Sequence, residues 1–371
     1  MSKKGENIYK RKDNRWEARF VKTRSDEGKI KYGYCYGKTY HEVKLKLQNA
    51  KLDLMKDVVP SSNMNKLFSV YIDEWLTVNR SAVKESTLVK YISIINNHIK
   101  PYLGKYGANT ISSKLIGEFT NKLLFEKKLS QKTVKDILVL LKSIVKFTAH
   151  SIPQMSNIEI VYPKDNKPEM KILSKSEQNR LINYLLSNID LCKFGVLLSM
   201  MTGLRIGEIC ALKRKNISIA EKTITVNSTM QRLKNLDNDK ERKTKIYISN
   251  PKSDCSSRVI PLTDSLTNLC NKYLSNNPED YILTGQADRY LEPRTLQNRI
   301  KKYGKECGIS DLHFHMLRHT FATRCVEVGF EIKSLSEILG HSSPKITLER
   351  YVHSSMELKR NNMKKLSAVG F

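Results

Sequence analysis

The sequence contains no apolar run of the roughly 18–20 residues that a membrane-spanning helix needs. CKFGVLLSMM (192–201), among its longest apolar stretches, has the length of a buried helix instead. The start, MSKKGENIYKRKDNRWEARF, lacks the apolar core of a secretory signal. The seven cysteines are odd in number and show no CxxC spacing. Neither a disulfide framework nor a thiolate zinc site is indicated, and the expectation is single thiols in a reducing cytoplasm. Acidic residues are scarce beside basic ones: 37 Asp and Glu face 65 Lys and Arg, a formal net charge of +28. Lysine on a solvated surface accounts for part of such a balance, but an excess this large favours a polyanionic partner. Nucleic acid is the first candidate and an anionic membrane surface the second. What is present in quantity is core-forming material. Forty percent hydrophobic residues excludes a disordered chain, and 371 residues exceed one ordinary core, so two or three domains are expected.

Three segments follow from composition and periodicity. Residues 1–60 hold 16 Lys and Arg against 8 Asp and Glu, a net of +8. Apolar and polar residues alternate through Trp16, Ala18 and Phe20 and again through Tyr32, Tyr34 and Tyr36, the period of strands. Asp13–Asn14 and Ser25–Gly28 supply turn chemistry, and Thr39 caps a helical stretch to about Lys56. A small three-stranded sheet with one helix is predicted, with charge and aromatics interleaved as a DNA-contacting face requires. VVPSSNMN (58–65) reads as a linker. Residues 66–150 are helical throughout, with stretches near 67–79, 86–103 and 111–126 and a fourth whose apolar face is Val134, Ile137, Leu138, Leu141, Ile144, Val145 and Thr148. SIPQMSNIEIVYPKDNKPEMK (151–171), with three prolines, reads as a second hinge. From Leu173 the chain is mainly helical, interrupted by three short strands at 222–230, 245–249 and 258–262. The fold class is thus mainly α and multidomain, a small α+β unit preceding a four-helix domain and a mainly helical domain with a small β-sheet.

The chemistry-bearing residues lie in the last of these segments. TGLRIGE (202–208) carries Arg205 and Glu208, and HMLRHTFAT (315–323) carries His315 and Arg318. On a helix, residues three apart share a face. A guanidinium fork matches two phosphate oxygens at once, so two converging arginines would neutralise charge building on a phosphorane, each such donor being worth about 3–4 kcal/mol. Singly, either arginine reads as a surface salt bridge, and Glu208 as an acid that orients Arg205. NPKSDCSSRVIPL (250–262) places Lys252 in a turn between strands, where it could protonate a leaving oxygen. ILGHSSPKITLERYVH (338–353) has helix punctuation: Gly340 stops one helix, Ser343–Pro344 opens the next, His341 lies between them and Tyr351 about two turns in. A phenol with a pKa of about 10 needs a base or a strongly positive pocket to become a nucleophile, and His315 and His341 are candidate proton acceptors or donors. Taken alone, Tyr351 is a half-buried aromatic among seventeen tyrosines. His313, His315 and His319 carry a rival reading as metal ligands, HxxxH (315–319) sharing one helix face, with no supporting cysteine or carboxylate pattern nearby.

Arg205, Lys252, His315, Arg318, His341 and Tyr351, in this order and in these contexts, resemble the signature of the tyrosine recombinase (phage integrase) family. The likeness covers essentially the whole chain. ENIYKRKDNRWEARF and YGKTYHEVKLKL, within 5–48, also look like the arm-binding domain of conjugative-transposon and related phage integrases. The resemblance implies an arm-type DNA-binding domain at 1–60, a core-binding domain at 66–150 and a catalytic domain with a C-terminal tail at 170–371. It implies that five of these residues surround the scissile phosphate while Tyr351 attacks it, with Glu208 in support. The product would be a 3′-phosphotyrosyl bond and a free 5′-hydroxyl, without metal, ATP or other cofactor. The implied partners are double-stranded DNA at core and arm sites and three further copies of the chain in a synaptic tetramer. An excisionase and a host DNA-bending protein are also implied, and no membrane. The tail 356–371 would dock on a neighbouring copy. The setting would be the bacterial nucleoid, and the biological act the integration or excision of a mobile element. Lys252 has a competitor in Lys245 of KERKTK (240–245). Rival functions are a chromosome-dimer recombinase, which generally lacks an arm-binding domain; a type IB topoisomerase, acting as a monomer without fixed sites; and a DNA-binding regulator that never cuts.

Overall fold

The computed structural model describes residues 7–24, 30–57, 66–164, 170–236, 243–249 and 257–351, together with Arg360 and Met363. The expected turn at Ser25–Gly28, the linker 58–65, Lys252 and nearly all of the tail 356–371 lie outside the described residues. The chain divides into two compact units, Met1–Asn166 and Lys167–Phe371.

In the first unit, β1 (Ile8–Lys10), β2 (Trp16–Arg24) and β3 (Ile30–Gly37) form an antiparallel sheet in the order β1-β2-β3, followed by α1 (Tyr40–Asp57). Period-two alternation turns Ala18 inward, where it meets Ile8, Val43 and Leu47 in a small core. The opposite pleat leaves Tyr32, Tyr34 and Tyr36 exposed. A separate helical core is built by α2 (Phe68–Asn79), α3 (Glu85–Ile94), α4 (Lys100–Leu103), α5 (Ser113–Asn121) and α6 (Gln131–Thr148). Single π turns, Ile95–Ile99 and Lys122–Glu126, join α3 to α4 and extend α5. The apolar stripe of α6 is buried as its spacing requires, from Val134 to Thr148. The hinge expected at 151–171 contains the division between the two units, but its first part belongs to this core: Ile152 and Met155 are buried in it, and Ile158, Ile160 and Tyr162 pack against it.

The second unit is mainly helical: α7 (Lys175–Ser187), α8 (Leu191–Thr202), α9 (Ile206–Ala211), α10 (Asp264–Tyr273), α11 (Pro293–Glu306), α12 (Phe314–Glu327), α13 (Ile332–Leu339) and α14 (Pro344–Tyr351). CKFGVLLSMM forms the buried body of α8. The β interruption differs from the three strands expected. Five strands form two sheets: β4 (Ile217–Ser218), β5 (Thr223–Val226) and β8 (Arg258–Pro261) in one, β6 (Thr229–Lys234) and β7 (Thr244–Ser249) in the other. The single strand expected at 222–230 breaks because β6 leaves the first sheet to lie on α9. A Cβ at Gly207 would stand 2.5 Å from Thr229 Oγ1 and 2.7 Å from the Met230 carbonyl, so the approach requires glycine. β7 therefore pairs with β6 and β8 with β5, and the segment carrying Lys252 connects two sheets rather than closing one hairpin.

Candidate active site

Gly203 ends α8 with φ +69, and a Cβ there would meet Phe321 Cδ1 at 2.7 Å. Two residues on, Arg205 occupies the N-cap of α9. Glu208, in the first turn, accepts from the backbone N–H of Arg205 at 2.9 Å and from its Nη1 at 2.7 Å. Glu208 is also gripped from the other side. Arg258, on the inward face of β8, donates Nη1 and Nη2 to the two carboxylate oxygens at 3.0 and 2.8 Å. The carboxylate is only 4% exposed and Arg258 only 8%. Burial alone would push the Glu208 pKa up, but Arg258 and Arg205 together hold it down at about 2.

The end of α13 is where the arginines converge. Arg258 Nε donates to the carbonyl of Ile338 at 2.6 Å, Arg318 Nη2 to that of Leu339 at 2.6 Å, and Arg205 Nη2 to that of Gly340 at 2.9 Å. These successive carbonyls lack partners within the helix and carry the negative end of its dipole. Three guanidinium groups from distant segments are thus oriented by one helix terminus. Arg318, 2% exposed, also donates Nη1 to the carbonyl of Gly203 at 2.7 Å. Gly340 takes φ +63 and turns the chain so that His341 follows directly.

Arg205, His315, Arg318 and His341 line one cavity of about 300 Å³, with Gly340, Ser342, Ile346 and Arg350. Among the sequence-predicted residues these four are brought together. Burial lowers the Arg318 pKa, with Arg205 adding to the effect, to about 9, and it remains a cation at neutral pH. Burial likewise pushes His341 down to about 3, helped by Arg318 and Arg205, and His315 to about 4, helped by Arg318, Arg350 and Arg205. His315 is an exposed residue and His341 a half-buried one, so water weakens the shift at His315 and His341 is the firmer case. His341 Nδ1 lies 2.8 Å from Thr347 Oγ1, which fixes its ring. The cavity is therefore a cationic, donor-lined cup with no carboxylate among the described residues of its lining, Glu208 being held behind it by Arg205 and Arg258. It is fitted to one phosphodiester anion.

Tyr351, the last residue of α14, is buried with Ala322, Cys325, Leu335 and Leu339. It adjoins Arg350, and its ring is parallel to that of His341, with centroids 6.3 Å apart and planes 4° apart. Its hydroxyl meets His319, Nδ1 at 2.8 Å. Burial raises the Tyr351 pKa from its ordinary value, while Arg318, Arg350 and Arg205 pull it back. Of the histidines with a rival metal reading, His313 Nδ1 lies 3.0 Å from the Asp311 carbonyl, and His315 and His319 meet edge to face with centroids 4.6 Å apart. No group of three or more His, Cys, Asp or Glu suited to a metal occurs among the described residues. Lys245 lies on β7.

The profile described as the phage integrase family matches residues 171–357, which carry this whole arrangement. The chain belongs to that family. Its members, the tyrosine recombinases, are enzymes that cleave and rejoin DNA. Residues 67–124 match the phage integrase N-terminal SAM-like domain. A "Tyrosine recombinase XerC-like" protein of Caldanaerobacter subterraneus subsp. tengcongensis is 28% identical over 370 residues, covering 93% of each chain. The Tn1549 transposon integrase, in complex with a circular intermediate DNA, shares the fold with a TM-score of 0.65 at 20% identity, over 81% of this chain and 99% of that one. A lambda integrase tetramer bound to a Holliday junction shares it with a TM-score of 0.54 at 17% identity, over 95% of this chain and 98% of that one.

Sequence reasoning missed Arg258, His319 as partner of Tyr351, Thr347 and Arg350. A signal for Arg258 was available. Arg258 and Ile260 share one face of a strand by period two, and a buried arginine demands a carboxylate. For Thr347 no such signal exists, since only the folded loop shows that its hydroxyl reaches His341.

Proposed function

We propose that this recombinase is the integrase of a mobile element, a conjugative transposon or prophage. In this reading Arg205, His315, Arg318 and His341 hold the scissile phosphate and Tyr351 Oη attacks it. The P–O5′ bond breaks, a 3′-phosphotyrosyl bond forms, and Lys252 gives the leaving 5′ oxygen its proton. The free 5′-hydroxyl of a partner strand reverses the step and reseals the DNA. The observation that carries this reading is the convergence of those four side chains on one cavity, with the ring of Tyr351 parallel to that of His341, one of its lining residues. Bond energy stays in the phosphotyrosyl link, so neither ATP nor metal enters the scheme.

Residues 66–150 and 170–371 are assigned to core-site DNA, and 1–60 to separate arm sites. The sheet of the first segment supports the latter: Arg19 stacks over the exposed ring of Tyr32 at 3.7 Å, and Tyr34 and Tyr36 are stacked beside it. Basic and aromatic groups on one exposed face suit a DNA groove. Four copies are taken to exchange strands in pairs through a Holliday junction, and a lambda integrase tetramer bound to a Holliday junction supports this assembly. An excisionase and a host DNA-bending protein are assigned to excision and to synapsis. A chromosome-dimer recombinase would share the chemistry, but the N-terminal sheet favours the integrase.

The test is incubation of the full chain with nicked duplexes from the DNA flanking its gene, in EDTA. A denaturant-resistant protein–DNA adduct is expected, absent from Tyr351→Phe although that variant binds DNA with nearly the same affinity. Tight binding without an adduct would overturn the reading in favour of a regulator that does not cut.

A further inference from the structure

An attacking phenol must lose its proton, and the sequence pointed to His315 and His341 as acceptors. The structure puts a different histidine at the hydroxyl. Tyr351 Oη and His319 Nδ1 are 2.8 Å apart. A phenol is protonated near neutral pH, so the hydroxyl donates and Nδ1 accepts, which assigns the His319 proton to Nε2. The His341 ring lies parallel to that of Tyr351, with centroids 6.3 Å apart, and its own Nδ1 is engaged by Thr347. His315 is turned towards His319, edge to face at 4.6 Å, and lines the cavity. The three histidines thus divide: two face the phosphate site, and one faces the nucleophile.

We propose that His319 is a catalytic residue of strand cleavage, accepting the phenolic proton of Tyr351 as Oη bonds to phosphorus. This rests on the reading of Tyr351 as nucleophile. The Oη–P bond forms, the P–O5′ bond breaks, the proton moves from Oη to His319 Nδ1, and the 5′ oxygen takes its proton from a separate acid, for which Lys252 is the candidate. On rejoining, the 5′-hydroxyl returns its proton to that acid and His319 returns its own to Oη. Burial, with His315, Arg350 and Arg318 adding to it, holds the His319 pKa down to about 4, so the ring is neutral and receptive before DNA binds. A phosphodiester in the cavity offsets the arginine charges that oppose an imidazolium. The phenol becomes more acidic as its oxygen bonds to phosphorus, so the transfer belongs to the transition state rather than the ground state.

The experiment is single-turnover cleavage of a nicked duplex by the full chain carrying His319→Gln, whose amide accepts a hydrogen bond but cannot hold a proton. Cleavage is expected to fall about 100- to 1000-fold with DNA affinity unchanged. Introducing a fluorinated, more acidic tyrosine at 351 should restore His319→Gln at least tenfold while changing the parent little. Cleavage at the parental rate, or a loss that fluorination does not relieve, would overturn the proposal. Where His319→Gln fails to fold, the unaltered protein serves. On a 5′-bridging phosphorothiolate duplex, whose leaving group needs no acid, a solvent isotope effect reports the phenolic proton alone, and its absence would overturn the proposal. An adduct that survives in Tyr351→Phe would instead sink the nucleophile assignment itself.

Discussion

Arginine is held in two ways in this chain, one in the N-terminal sheet and the other in the second unit. In the sheet, Arg15 pairs with Asp13 at 2.8 Å and Arg19 lies over Tyr32, both at the surface. In the second unit, Arg258 and Arg318 are sealed from solvent, their donors fixed on Glu208 and on the carbonyls of residues 203, 338 and 339. Exposed pairs of the first kind contribute little to stability and leave the side chain free to follow a polyanion. Buried guanidinium groups must be fully paired, and that pairing orients them before any phosphate arrives. The same residue therefore supplies adaptable attraction in one region and preorganisation in the other.

The sharpest break of this contrast is at Glu208. Glu208→Ala leaves two arginines facing one another without their carboxylate, and is expected to destabilise the unit by about 3–5 kcal/mol, measured by urea melts. Combining Glu208→Leu with Arg258→Met should recover most of that stability, since a buried ion pair is replaceable by apolar packing. Cleavage should stay depressed, because Arg205 has lost the group that orients it. If Glu208→Ala costs no more than Asp13→Ala, the buried network has no special standing.

Next in size is the response to acid. His315, His319 and His341 all have depressed pKa values in the fold, while the unfolded chain protonates near the ordinary value of about 6.5. The unfolded state then binds more protons, so stability is full above that value and is lost as pH falls through the range down to about 4 and 3. Melting temperatures recorded from pH 7.5 to 4 should decline across this window, and less steeply in His341→Asn. A flat profile would show that these rings are not held neutral. The smallest effect belongs to the sheet. Arg19→Ala should leave stability nearly unchanged, because the guanidinium lies on the exposed face. It should also lower the slope of log affinity against log salt for arm-site DNA by about 1. An unchanged slope would remove Arg19 from the DNA face.

Much of this was legible in the residues themselves. Apolar spacing located the stripe of α6, and Gly340 with Pro344 marked the break that sets His341 between two helices. Arg205, His315, Arg318 and His341 could be named because their types suit a phosphate and their contexts form a family signature. Tertiary consequences were not legible. The close approach of β6 to Gly207 splits one expected strand between two sheets, and nothing local in KTITVNSTM announces it. His319 read as a metal ligand because helical spacing places it beside His315. Only the packing of α14 against α12 brings Tyr351 to its Nδ1.

The central claim is that Tyr351 becomes bonded to DNA. The most direct measurement is proteolysis of the covalent adduct followed by mass spectrometry of the nucleotide-linked peptide. The account predicts a 3′-phosphate ester on Tyr351, within the peptide that follows Lys345. A modified residue elsewhere in the chain, or a link through a 5′-phosphate, would contradict it.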